Sequence, residues 1–160
     1  MYKFSVWVDA DSFPAKARSF LVSYSSSKSV RVYFVANHEI KDPLQQAEMI
    51  LCQKEANAAD NYIFEHAGEN DIVVTRDIPF AARLVEKKIE VMNDRGLVFS
   101  KDNIEDKLRE REFSLNLAGI GFGGDKGNYY GQKELDKFSR TFEQKLQEHI
   151  MNETYNIKRR

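Results

Sequence analysis

The chain has 160 residues, of which 42% are hydrophobic and 31% are charged, and its formal net charge at pH 7 is -1. This length predicts a single domain over residues 1–160, and the near-neutral charge argues against a protein that coats nucleic acid along a basic face. One cysteine, Cys52, excludes an internal disulfide framework. No apolar run approaches the length of a membrane span and the N-terminus lacks a signal-peptide pattern, so we expect a cytoplasmic protein that does not enter a membrane.

The first half of the chain alternates between strand-like and helix-like patterns. Alternating polarity predicts a strand over residues 3–8, and Ser12 and Pro14 then indicate the start of a helix. A run of β-branched and aromatic residues predicts a second strand over residues 30–37. A turn at residues 41–43, a short strand over 48–53 and a helix over 57–67 follow.

The second half continues this alternation and then changes character. The patterns predict a strand at 71–77, a helix at 78–88, a final strand at 89–93, a turn at 94–96 and a charged helix at 102–117. Glycines predict a flexible loop over about 119–131, and an apolar stripe predicts a docked C-terminal helix over about 132–150 followed by a frayed tail.

This order of elements predicts an α/β fold, a three-layer sandwich with a mostly parallel central sheet between helices. In such a sheet the carboxyl ends of the parallel strands share one edge, and ligands bind there.

Four aspartates follow strand-like segments and should meet at that edge. Asp9 and Asp11 follow the first strand, Asp77 ends a later strand, and Asp60 lies in the first turn of a predicted helix. Clustered carboxylates repel one another unless a cation neutralises them or their pKa values rise. Oxygen ligands suit Mg²⁺ or Mn²⁺, which activate water and stabilise a phosphoryl group under attack. The pattern therefore predicts a Mg²⁺ or Mn²⁺ site for phosphate chemistry.

Each acid also has a local explanation. Asp11 and Asp77 could cap the helices that follow them, and Asp60 could favour a helix N-terminus electrostatically. Asp9 has no such explanation, because the end of a strand does not need an acid.

Other polar residues near the predicted edge could support the site. Ser12 and Thr75 could orient a ligand water, Asn57 could be a polar neighbour of Asp60, and Arg95 could contact a phosphate. A capping serine, a strand threonine, a helix-start asparagine and a solvated turn arginine are the alternatives. His38 follows a strand, so it either reaches the same edge or lies on the surface.

The combination of motifs resembles the uncharacterised YaiI/YqxD family. WVDADSFP, AAD, VVTRDIPFAARLVEKK, NDRG and KDNIEDKLREREF occur in the family's order, and the resemblance covers roughly residues 6–142. It implies a PIN-like fold, whose better-known members are metal-dependent nucleases with acids at the sheet edge. Catalytic and metal-binding roles then pass to the matching positions, which are Asp9, Asp11, Asp60 and Asp77.

The sequence departs from the family pattern in two places, one of which spans two residues. Ser12 and Phe13 stand where alanine and cysteine are usual, which removes a thiol, and Asn57 stands where an aspartate is usual. The leading hypothesis is a Mg²⁺- or Mn²⁺-dependent phosphodiesterase acting on RNA or single-stranded nucleic acid. The alternatives are a non-catalytic module that binds metal or nucleic acid and, third, a phosphatase of the haloacid-dehalogenase type.

Overall fold

The structure, a computed structural model, describes residues 1–41, 44, 46–122 and 129–157. Within these residues the strands are β1 Ser5–Asp9, β2 Arg31–Ala36, β3 Glu48–Leu51, β4 Ile72–Val74, β5 Glu90–Met92 and β6 Val98–Phe99. The helices are α1 Ala15–Ser27, α2 Ala58–His66, α3 Ile78–Glu86, α4 Ile104–Gly119 and α5 Gln132–Thr154.

The strands form one sheet in the order β3-β2-β1-β4-β5-β6. The first five are parallel to one another, and β6 runs antiparallel to β5. From β1 the chain adds β2 and β3 on one side, and it then places β4 on the other side of β1. The order therefore switches direction between β1 and β4, and such a switch opens a crevice at the carboxyl ends of the two strands.

Apolar side chains fill a core on each face of the sheet. On one face Val6 and Val8 of β1 pack with Leu21 of α1 and Phe142 of α5. On the other face Trp7 packs in a cluster that includes residues of α2 and α3. Successive β1 side chains alternate between the two cores because they point to opposite faces of the sheet. The predicted α/β architecture of three layers is confirmed.

The prediction that β5 is the final strand is wrong. The chain turns at residues 94–96 and returns as β6. Gly96, in this turn, adopts a φ of +83°. The side chain of Asn93 holds this turn, since its Oδ1 accepts hydrogen bonds from the amides of Arg95 and Leu97, both at 2.9 Å. A strand of two residues is too short to produce a periodic pattern.

The C-terminal helix is longer than the sequence predicted. It runs to Thr154, four residues beyond the predicted end at 150, and its buried stripe includes Phe138, Phe142 and Leu146. In the predicted glycine-rich loop, α4 extends to Gly119, and residues 123–128 lie outside the described residues. Residues 42 and 43 of the predicted turn and residues 158–160 of the tail also lie outside them. No helix in the described part of the chain is long and apolar enough to cross a membrane.

Candidate functional site

The centre of the candidate site lies at the crevice between β1 and β4. Asp9 is the last residue of β1, and Thr75 directly follows β4. The hydroxyl of Thr75 donates a hydrogen bond of 2.9 Å to Oδ2 of Asp9. Thr75 is itself held in the sheet, because its amide donates to the carbonyl of Met92 in β5. The hydrogen bond from the Thr75 hydroxyl therefore fixes the orientation of the Asp9 carboxyl.

Asp77 approaches the same point from the start of α3. It caps this helix by accepting a hydrogen bond of 3.0 Å from the amide of Phe80. Its own amide donates to Oγ1 of Thr75 at 3.1 Å. The expectation that Asp77 is a helix cap is therefore correct, and the cap also brings its carboxyl to the site.

Asp60 completes the central group from the first turn of α2. It is 9% exposed and hydrogen-bonds to both Asp9 and Asp77. Burial, together with the nearby charges of Asp9 and Asp77, raises the pKa of Asp60 to about 8. At neutral pH Asp60 therefore carries a proton, which lets it donate to its neighbours.

The charges of the acids also act on Asp9. Burial is the main cause that raises the pKa of Asp9, and the negative charges of Asp11 and Asp77 add to it. Hydrogen bonds from Thr75 and Asp60 act in the opposite direction. The crowding of carboxyl groups at this edge thus raises the pKa values of both Asp9 and Asp60.

Asp11 lies at the outer part of the site. Its Oδ1 accepts a hydrogen bond of 3.0 Å from the amide of Asn37 and lies 3.3 Å from Nδ1 of His38. The expectation that Asp11 caps α1 is wrong, because the N-cap position is Pro14 and no side chain caps the helix. Asp11 instead joins the end of β1 to the end of β2, and His38 does reach this edge.

These residues surround a cavity of about 470 Å³. It is lined by Asp9, Asp11, Ser12, Asn57, Ala59, Asp60, Arg76, Asp77 and Arg111. The structure thus brings all four predicted acids, with Ser12 and Asn57, to one cavity, while Thr75 supports Asp9 from the sheet.

Asn57 stands out by its backbone. Its φ of 66° lies in the left-handed region, which asparagine tolerates better than most residues other than glycine. Asn57 precedes α2, but its side chain makes no capping hydrogen bond. The side chain is therefore not engaged in starting the helix, and the residue lines the cavity.

Arg95 lies elsewhere. Its Nη2 donates to the carbonyl of Tyr129 at 2.6 Å, and its Nη1 lies 3.7 Å from Glu134. Arg95 is not part of the cavity lining, whereas Arg76 and Arg111 are, and sequence reasoning missed both. The position of Arg76 directly before Asp77 at a strand end was an available signal. Arg111 gave none, because its helix face resembles an ion-paired surface.

The donor set suits a hard cation, although the side chains are not arranged around one. Carboxylate oxygens are the ligands that Mg²⁺ and Mn²⁺ prefer. Among the described residues, however, no group of three or more His, Cys, Asp or Glu side chains is placed so that it could hold a metal ion. The oxygens instead accept or share protons, as in the Thr75–Asp9 and Phe80–Asp77 hydrogen bonds. A cation would have to replace some of these bonds.

Comparison with known proteins identifies relatives but no activity. Residues 7–148 match the family described as "Uncharacterized BCR, YaiI/YqxD family". A UPF0178 protein of Treponema denticola is 40% identical over 141 residues, which cover 88% of this chain and 90% of the relative. A UPF0178 protein of Syntrophotalea carbinolica is 34% identical over 148 residues, which cover 91% and 99%. No solved structure matches the chain significantly.

The match covers both sides of the candidate site, since Asp9, Asp11, Asp60 and Asp77 all lie between residues 7 and 148. The match also includes the five parallel strands, apart from the first two residues of β1. On the extent of this match, the chain belongs to the uncharacterised YaiI/YqxD family.

Proposed function

We propose that this protein is a Mg²⁺- or Mn²⁺-dependent phosphodiesterase that cleaves RNA or another single-stranded nucleic acid. The observation that supports this function best is the convergence of Asp9, Asp60 and Asp77 at the β1–β4 crevice, with Asp11 in the same cavity. The choice of nucleic acid as substrate comes from the PIN-like fold that the family resemblance implies, because the better-known members of that fold are nucleases.

The protonation of the acids supports a cation-binding role. Three carboxyls held within mutual influence are unfavourable when all are ionised, and here Asp60 retains a proton at neutral pH. A divalent cation would relieve the same repulsion without the proton. Helix capping does not explain why these carboxyls lie so close together, because the side chains of Asp9 and Asp60 do not cap α1 or α2.

The residues would divide the work as follows. Asp9, Asp11, Asp60 and Asp77 would hold the cation, directly or through water. When bound, the cation supplies an activated water and neutralises charge on the phosphoryl group. Thr75 keeps Asp9 in position by its hydrogen bond, which limits the motion of that carboxyl during the reaction.

The test is incubation of the purified protein with end-labelled single-stranded RNA, with Mn²⁺, with Mg²⁺ and with a chelator. We expect cleavage that requires the cation and that Asp9→Asn reduces by about a hundredfold or more. Asp136→Asn is the matched control, because Asp136 is an exposed acid on α5 far along the chain from the site.

Absence of cleavage with either cation, or an Asp9→Asn variant as active as the wild type, would refute the catalytic function. Calorimetry with Mn²⁺ and a short RNA then identifies what remains. Binding without turnover would indicate the non-catalytic module, and absence of both binding events would leave the acids with structural roles only.

A further inference from the structure

The cavity lining contains two cations among its four acids. They are Arg76, in the β4–α3 connection, and Arg111, on α4. Both arginines are exposed, whereas Asp60 is 9% exposed, so Asp60 lies deeper in the cavity than the arginines. Carboxylates repel a phosphate group that approaches this cavity, and these two arginines are the cationic side chains among the described residues of the lining.

Arg76 is held in place from two sides. Its Nε lies 3.2 Å from Oδ2 of Asp94, a carboxylate that is 2% exposed, and its Nη1 donates to the carbonyl of Ser12 at 3.4 Å. These contacts connect the β5–β6 turn with the β1–α1 connection across the rim of the cavity. The guanidinium is therefore positioned before any ligand arrives, which lowers the entropy cost of binding.

Arg111 differs from the other cations of its helix. Lys107 pairs with Glu110 at 3.2 Å, and Arg109 pairs with Asp106. Arg111 makes no ion pair with another of the described residues, and it faces the cavity instead. The alternating charges of α4 are typical of a solvated surface of ion pairs, and Arg111 does not take part in such pairs among the described residues.

We propose that Arg76 and Arg111 form a phosphate-binding pair at the rim of the acidic cavity. The ligand is a phosphodiester of a single-stranded nucleic acid. The role of the pair, which is to place the strand over the acids, rests on the proposed nuclease function. A planar guanidinium binds two phosphate oxygens at once, which adds orientation to charge attraction. Arg76 and Arg111 are thus positioning residues for the substrate.

The experiment measures binding without turnover. Full-length Asp9→Asn protein with Mn²⁺ is titrated with a fluorescent single-stranded RNA over a series of salt concentrations, alone and with Arg111→Gln added. We expect Arg111→Gln to weaken binding about tenfold. The plot of the logarithm of the binding constant against the logarithm of the salt concentration should become less steep by about 0.7, which is the slope contributed by one phosphate contact on a single strand. Arg109→Gln is the matched control on the same helix and should change the dissociation constant less than twofold.

Arg76 needs a second design, because its removal leaves the buried Asp94 without its ion pair. Arg76→Lys keeps a charge beside Asp94 but removes the planar fork. We expect it to weaken RNA binding severalfold while the melting temperature stays within a few degrees of the parent.

Unchanged binding and salt dependence in Arg111→Gln, or no RNA binding by the reference protein, would overturn the phosphate-binding pair. Cleavage by the wild-type protein would still support the nuclease in that case. Conversely, weakened binding in Arg111→Gln supports the pair even if the wild type cleaves nothing.

Discussion

At the scale of single residues, Asp60 has the most strongly shifted pKa among the acids in the described part of the site. Its position in the first turn of α2 would by itself favour the ionised form. Burial beside Asp9 and Asp77 outweighs that effect and raises the pKa of Asp60 to about 8. The site is therefore built with one acid neutral at physiological pH.

This shift predicts that the cation-free protein loses stability as pH rises. An aspartate in the unfolded chain has a pKa of about 3.8, whereas the pKa of Asp60 in the folded protein is about 8. Between these pH values the folded state binds a proton that the unfolded state lacks. The free energy of unfolding then falls as pH increases through this range. Asp60→Asn removes the titrating carboxyl and should flatten the profile, so that the variant is more stable than the wild type near pH 8.

Urea denaturation in a chelating buffer at a series of pH values checks this prediction. Asp136→Asn serves as the control and should follow the wild-type profile. A wild-type stability that rises from pH 5 to about pH 8, or an Asp60→Asn profile parallel to it, would contradict the inferred protonation of Asp60.

At the scale of elements, α3 combines a structural and a candidate functional role in one residue. Asp77 caps the helix through the amide of Phe80 and also lines the cavity. Pro79 in the first turn further favours a helix start there. The cap positions the carboxyl, so a local signal for a helix start also marks the site.

The two roles of Asp77 are separable by substitution. Asp77→Ser keeps a side-chain oxygen that caps the helix, whereas Asp77→Ala loses the cap and should cost about 1 kcal/mol of stability. Both variants remove the carboxylate and should lower the proposed cleavage by a similar factor. Denaturation midpoints and cleavage rates of the two variants provide the comparison. A serine variant with wild-type activity would assign Asp77 to capping alone.

At the scale of the whole molecule, α5 closes the core on the face of the sheet that α1 also covers. Phe138 and Phe142 are fully buried, and their rings stack with centroids 5.6 Å apart. Phe138 also contacts Phe13 edge-on, at a centroid distance of 5.8 Å. Phe13 lies two residues after Asp11, so the docking of α5 supports the β1–α1 connection that carries part of the site.

Truncation of this contact should therefore destabilise the whole fold. Phe142→Ala removes a fully buried ring and should cost about 3–5 kcal/mol. Met151→Ala, at a position on α5 that is 54% exposed, should cost less than about 0.5 kcal/mol. Urea denaturation followed by circular dichroism measures both values. Equal, small effects of the two substitutions would show that α5 contributes little to the core.

The sequence by itself determined the type and order of most elements and the strand-end positions of the acids. Period-two and period-3.6 patterns, caps and breakers act over a few residues, so they are readable without the fold. The alternation of strands and helices then implied a parallel sheet with a shared edge, and the structure places Asp9, Asp60 and Asp77 together there.

Only the tertiary structure decided the properties that depend on contacts between distant residues. The placement of β4 beside β1, the return of β6, and the approach of Arg76 and Arg111 to the acids arise from how the elements pack. The proton on Asp60 belongs to the same group, because burial and neighbouring charge set a pKa and neither can be read from residues 57–61 alone. The position of Arg95 against Tyr129 shows the same dependence, since the turn gave no sign of that contact.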